Sequence, residues 1–199
     1  MSHFRNDAGP DQVVAAELER HRSWLGLLAR LQMNARFRAK FDPSDIVQQT
    51  LLEAVRDWPK FLGGSEGELA AWLRQILAHV LLHEVRRYGG ARRRDIGREV
   101  SLEEALAETS ERLGAALAAP DSSPSERASR HELELRLADA LVRLPADYAE
   151  IIVLRNVEGL SHEEAARRMG RGVGAVRMLW VRALARLRQE LDVTPNARS

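Results

Sequence analysis

The chain has 199 residues, with 30 basic and 29 acidic side chains, 45% apolar residues, only 5% aromatic ones, and no cysteine. That length makes one large domain or two small ones, and the composition suits thin helical cores of Leu, Ala and Val. Disulfides, thiolate metal sites and thiol nucleophiles are excluded, and no apolar run reaches the roughly 18 residues needed to span a bilayer.

Near-neutrality hides local asymmetry. Arg86, Arg87, Arg92, Arg93, Arg94 and Arg98 crowd one stretch, and Arg167, Arg168, Arg171, Arg177, Arg182, Arg186 and Arg188 crowd another. Between them, Glu99 to Glu111 holds five glutamates, an acidic bridge between two basic islands. Residues 1–14 lack the apolar stretch of a secretory signal, so a cytoplasmic location without membrane insertion is expected.

No period-2 run flanked by turn residues is found, whereas helical periodicity runs throughout, so the fold is expected to be all-α. The spacing predicts a first helix over Asp11–Asn34, with Val14, Leu18, Leu25, Leu28 and Leu31 on one side. A second begins at Asp42-Pro43, an N-cap followed by proline at the first helical position, and stops near Trp58-Pro59. Phe61–Gly67 is a glycine-rich loop. Ser65-Glu66-Gly67-Glu68 is a capping box that opens a third helix, ending near Tyr88 before Gly89-Gly90. On it, Leu69, Trp72, Leu73, Ile76 and Val80 form the expected buried side, while Gln75, His79, Leu82 and Arg86 line another stripe.

Ser101-Leu102-Glu103-Glu104 predicts the start of a short acidic helix. Residues 118–129, AAPDSSPSERAS, read as a flexible linker. The division expected is therefore 1–98, a linking segment 99–129, a second helical unit 130–192 and a tail 193–199.

In that second unit, helical segments are expected over Leu133–Leu144 and Tyr148–Asn156, with a turn at Gly159. Ser161 to Glu164 is a third capping box. Small Ala165 and Ala166, Gly170 four residues after Ala166, and Val176 ten after it have the spacing of a helix-turn-helix. On the second helix of the pair, Val176, Trp180, Ala183 and Leu187 share the core stripe. Gly174, Arg177, Met178, Val181 and Arg182 point away and would enter a major groove. There Arg177 or Arg182 can pair with guanine edges, and Gly174 and Met178 permit close approach to a thymine methyl. Ser161 offers a backbone N–H to phosphate at its helix N-terminus.

Residues 144–188, LPADYAEIIVLRNVEGLSHEEAARRMGRGVGAVRMLWVRALARLR, resemble region 4 of the sigma factors of RNA polymerase, which reads the −35 promoter element. Where such regions carry Ser or Thr at the recognition-helix cap and a small polar residue nearby, this chain has Gly172, Ala175 and Met178-Leu179. FDPSDIVQQTLLEAVRDWPKF, residues 41–61, resembles sigma region 2.2, which docks on the polymerase clamp. Asp45, Gln48, Gln49 and Leu52 share one helix face there, and the resemblance makes them the polymerase-binding set. ELAAWLRQILAHVLLHEVRR, residues 68–87, resembles regions 2.3 and 2.4, which open and read the −10 element. The resemblance assigns −10 DNA to Gly63, Gly64, Gln75, His79, Arg86 and Arg87, with His79 standing where the family generally has Asn.

Two such blocks in this order, without a long inhibitory N-terminal region or a region 3 domain between them, resemble the extracytoplasmic-function (ECF) sigma-70 group. QQTLLEA, WLRQILA and RRRDIGREVSLEEAL are similar to a subset common in planctomycetes. The resemblance implies a non-enzymatic initiation factor without cofactor or metal. Its implied partners are core RNA polymerase (clamp and flap), promoter DNA and an anti-sigma factor, with the acidic bridge near the polymerase's RNA-exit path. Two alternatives stay open at this point: a helix-turn-helix regulator that never joins polymerase, and a degenerate sigma homologue that does not initiate. Metal chemistry has one foothold, His79 and His83 four apart beside Glu84. The order is not HExxH, however, no third ligand is evident, and His83 is expected to face the core.

Overall fold

The structure, a computed structural model, describes residues 10–33, 42–89, 96–115 and 126–193. Among these residues it is all-helical, with no strand. The chain divides into two compact units, residues 1–107 and 108–199.

In the first unit, α1 (Pro10–Glu19) and α2 (Arg22–Gln32) stand where the periodicity predicts one helix. The expected Asp11–Asn34 helix is therefore corrected to two. No Gly or Pro marks the break. The His21 N–H bonds back to the Leu18 carbonyl at 3.0 Å, a tight three-residue closure that turns the chain. His21 is fully buried beside Trp24, with ring centroids 6.1 Å apart. Leu18, Trp24, Leu25 and Leu28 are all buried, so the apolar phase continues across the bend.

Helix α3 (Pro43–Asp57) starts as expected. Asp42 caps it, its carboxylate accepting the Ser44 N–H at 2.9 Å. That bond is the main reason its carboxyl lies below the usual range. Ile46, Val47, Leu51 and Ala54 face inward, and buried Thr50 donates its hydroxyl to the Ile46 carbonyl at 2.8 Å. A short 3-10 turn, Trp58–Lys60, follows.

Helix α4 (Glu66–Gly89) packs on α3 and α2. Ser65 and Glu68 form the expected reciprocal cap: the Glu68 N–H reaches the Ser65 hydroxyl at 3.3 Å, and the Ser65 N–H donates to the Glu68 carboxylate at 3.0 Å. Leu69, Leu73 and Val80 are buried, Trp72 and Ile76 half-buried. The buried arc is wider than the predicted stripe. It also takes in Leu77, Ala78, Leu81 and Leu82. Leu82 thus leaves the outer stripe assigned to it with Gln75 and His79. The apolar pair Leu81-Leu82 gains more by burial than a strict stripe allows.

Helix α5 (Ile96–Ala115) begins five residues before Ser101, so Ser101 lies inside it and does not cap it. Residues three apart share a helix face whether or not a helix starts there, so Ser101 and Glu104 satisfy the capping pattern without acting as one. The boundary between the two units falls within this helix. On the first-unit side, Leu106 is buried and the Gln32 amide donates to the Ala105 carbonyl at 3.1 Å.

In the second unit, α6 (Glu126–Arg143), α7 (Ala146–Ile152), a five-residue π turn (Val153–Val157), α8 (His162–Met169) and α9 (Val173–Val193) follow in order. Residues 126–129 of the expected linker are the first turn of α6, and 118–125 lie outside the described residues, as do Gly90, Arg92 to Arg94 and residues 194–199. Helix α9 packs on α6, α7 and α8. Leu137, Leu141, Ile151, Ile152, Ala165, Val176, Ala183 and Leu187 form the core. A polar cluster is also buried in this unit: Glu134 accepts the Ser110 hydroxyl at 2.6 Å and has the His131 ring nitrogen at 3.3 Å. A buried carboxylate needs such partners.

Candidate nucleic-acid interface

The second unit builds its surface from α8 and α9. Ser161 caps α8 as predicted, its hydroxyl accepting the Glu164 N–H at 3.1 Å while its own N–H donates to the Glu164 carboxylate at 2.7 Å. In the protein alone, the Ser161 N–H assigned to phosphate donates to Glu164. The bond is also the chief reason the Glu164 carboxyl lies low. Gly170 closes α8 in the left-handed region, with φ 63°, and its N–H reaches the Ala166 and Arg167 carbonyls. Ala165 and Ala166 are buried, and Val176 fills the angle between the helices with no exposure. The predicted helix-turn-helix is therefore present in full. Arg171 in the turn pairs with Asp147 of α7, which ties the turn to the core.

The face of α9 turned away from that core carries the predicted set. Gly174, Arg177 and Arg182 are exposed, Met178 is 59% and Val181 55% exposed. A Cβ on Gly174 would meet nothing within 4 Å, so a ligand can approach the backbone there. Arg182 donates to the Met178 carbonyl at 3.3 Å. Arg177 reaches across the motif to Glu163, 3.2 Å away.

Trp180 departs from the predicted core stripe. It is half-buried at the edge, its ring N–H donating to the Asn156 side chain at 3.1 Å, with the Arg155 guanidinium 5.7 Å over the ring and His162 edge-on at 5.4 Å. Burial first, then Arg155 and Arg177, push the His162 pKa down, so the ring is neutral near pH 7. Apolar spacing alone gives no sign of this polar edge.

In the first unit the residues assigned to polymerase all lie on the outer face of α3. Asp45, Gln48 and Gln49 are exposed and Leu52 is 58% exposed. Gln49 donates to Glu53 at 3.0 Å. Gln48, Leu52 and Val55 also border a groove of about 220 Å³ against Ala15, Glu19 and Arg22. The sequence reading has no counterpart for this groove, because it forms only once α1 bends back on α3.

The loop after α3 is held by rings. Phe61 stacks on Trp72 with centroids 4.9 Å apart, and Trp58 lies 5.4 Å from Phe61. Gly63 sits hard against Phe61; a Cβ there would collide with the ring. Gly63 is thus required by the loop's own packing, whereas Gly64 faces open space. Leu62, which the sequence reading passes over, is 97% exposed at the tip. Gln75 and His79 are exposed on α4, Arg86 is half-buried, and Arg87 lies 3.8 Å from Glu84. His83 does not face the core: its side chain is 67% exposed, 3.4 Å from Glu84. His83 lies one turn past exposed His79, about 40° from it around the helix, and so shares its open face.

A family model for Sigma-70, region 4 matches residues 134–187. The ECF RNA polymerase sigma-E factor of Haemophilus influenzae is 33% identical over 150 residues, covering 74% of each chain. This chain belongs to the ECF sigma factors. The sigma factor is also 30% identical over 152 residues to an RNA polymerase sigma-E factor of Streptomyces avermitilis, which covers 76% of this chain and 72% of that one. A solved structure, the RsbN–BldN complex, aligns with 92% of this chain and 94% of its own at 20% identity and a TM-score of 0.34. The sigma factor acts in transcription initiation. A match of 150 residues extends well beyond the helix-turn-helix, so a free-standing regulator built on that motif alone is set aside. No helix among the described residues is long and apolar enough to cross a membrane.

Proposed function

We propose that this sigma factor joins core RNA polymerase in the cytoplasm and gives it promoter selectivity through two separate surfaces. The first unit anchors on the polymerase clamp through Asp45, Gln48, Gln49 and Leu52. Its loop at Gly63 and Gly64, with Gln75, His79, Arg86 and Arg87, engages the −10 element. An unstacked base there is gripped by polar side chains and stacking, and the arginines follow the phosphates. The second unit sits on the flap and reads the −35 element through Gly174, Arg177, Met178, Val181 and Arg182, with Ser161 fixing the start of α8. An anti-sigma factor is the proposed regulatory partner. The chain supplies binding and orientation, and core polymerase supplies the catalysis.

The observation that carries this reading is the sorting of α9. Val176, Ala183 and Leu187 are buried, while two arginines and two apolar side chains share the open face. Arginine pairs two donors with guanine, and an apolar side chain favours a thymine methyl. The test is in vitro transcription by the holoenzyme on paired promoters, with and without a −35 element. Arg177→Ala is expected to lower activity mainly on the promoter that has the element. An equal loss on both overturns the assignment.

A further inference from the structure

We infer that Glu163 is a positioning residue for base reading: its carboxylate aims the Arg177 guanidinium at a base edge and keeps it off the phosphate backbone. The inference rests on the −35 reading above and adds a residue from the other helix of the motif. Glu163 and Arg177 are 14 positions apart in sequence, on α8 and α9, yet meet at 3.2 Å with side chains 53% and 61% exposed. Ion pairs this exposed contribute little to stability, so stabilising the fold is a weak reason for this one.

The geometry supplies a stronger reason. Glu163 stands in the first turn of α8, where the reciprocal Ser161–Glu164 cap fixes the start of the helix. The Glu163 backbone N–H is the main cause of its carboxyl's low pKa, and Arg177 adds to it. Its neighbour His162 carries no competing charge near neutrality, because burial, Arg155 and Arg177 disfavour the cation. The carboxylate therefore has Arg177 as its cationic partner at this edge. One guanidinium nitrogen, Nη2, is engaged. A guanidinium has five N–H donors, so enough remain for a bidentate contact.

Two effects follow. Holding the long side chain in one direction removes freedom that DNA binding would otherwise have to remove. The fixed negative charge also repels phosphate, which carries a full charge, more than guanine O6 and N7, which carry partial ones. Among the described residues, the Arg182 guanidinium bonds instead to the Met178 carbonyl of its own helix. The two arginines of one face are thus set up differently, Arg177 for a base edge and Arg182 with more freedom toward the backbone.

The test uses holoenzyme assembled from the full chain and core RNA polymerase, with a promoter library randomised across the −35 window and random-sequence duplex as the non-specific probe. Wild type is expected to enrich guanine at one position that Arg177→Ala no longer enriches. Glu163→Ala is expected to cut enrichment at that same position about three- to tenfold and to leave the others in place. It should also tighten binding to random duplex. Glu163→Asp should recover part of the preference, and Glu163→Ala added to Arg177→Ala should change the base enrichment no further. Unchanged enrichment in Glu163→Ala, or an equal loss at every position, overturns the inference while the −35 reading stands. A wild-type library with no enriched position overturns that reading and this inference with it.

Discussion

Two side chains on the outer face of α9 are exposed against their chemistry. Met178 and Val181 are apolar, yet more than half exposed on the helix that the motif presents outward. If they meet thymine methyls, replacing thymine by deoxyuridine within the −35 element removes only a methyl group. Losing one buried methyl-sized contact costs about 0.8 kcal/mol, roughly fourfold in affinity. Holoenzyme binding to uracil-substituted promoters is expected to drop by that factor at one or two positions, and to be insensitive to the same change in Met178→Ala. Insensitivity of the wild type at every position contradicts the apolar reading. On α3, Asp45 and Gln48 are exposed with Ile46 and Val47 buried between them. The double substitution Asp45→Ala, Gln48→Ala is expected to weaken core polymerase binding without lowering the melting temperature. Unaltered affinity removes that face from the interface.

Helix ends were the most legible elements, because a cap is local chemistry. Asp42, Ser65 and Ser161 each stand where the sequence places an N-cap, and Gly170 takes the left-handed turn. Capping carboxylates also make the helix starts sensitive to acid. Asp42, Glu68 and Glu164 are all held below their ordinary values, chiefly by backbone N–H groups. A carboxyl depressed in the folded state contributes stability that is complete above its unfolded value and lost as pH falls through the folded one. The melting temperature is therefore expected to hold down to the unfolded carboxyl values, 3.8 for Asp and 4.5 for Glu, and to fall below them. Glu164→Gln should start lower and fall less steeply, and a profile parallel to wild type contradicts the capping account. Ser161→Ala is expected to cost about 1 kcal/mol in denaturant unfolding of the second unit. Two other elements could not be read from the sequence. The α1–α2 break has no Gly or Pro and depends on burying His21, a tertiary event. The Ser101 pattern fits a cap and a helix interior equally well. The site shows the same limit: the outer face of α9 follows from periodicity, whereas the Glu163–Arg177 pair and the Trp180 edge join residues that only folding brings together.

For the molecule as a whole, the near balance of 30 basic and 29 acidic side chains fits the proposal that core polymerase carries much of the nucleic acid. Several arginines of the second basic island are already paired within the protein, Arg171 with Asp147, Arg177 with Glu163 and Arg186 with Glu190. The acidic stretch lies on α5, with Glu104 and Glu108 exposed and Glu103 half-buried. If it follows the polymerase's RNA path, replacing these three glutamates by glutamine lowers initiation in transcription assays. Unchanged holoenzyme formation and initiation separate it from that role.

The most direct test adds the purified full chain to core RNA polymerase on a library of randomised promoters and sequences the transcripts. The account predicts a stable complex and transcripts that start at a shared pair of elements. A chain that fails to bind core polymerase, or binds it and starts no transcript on any template, contradicts it.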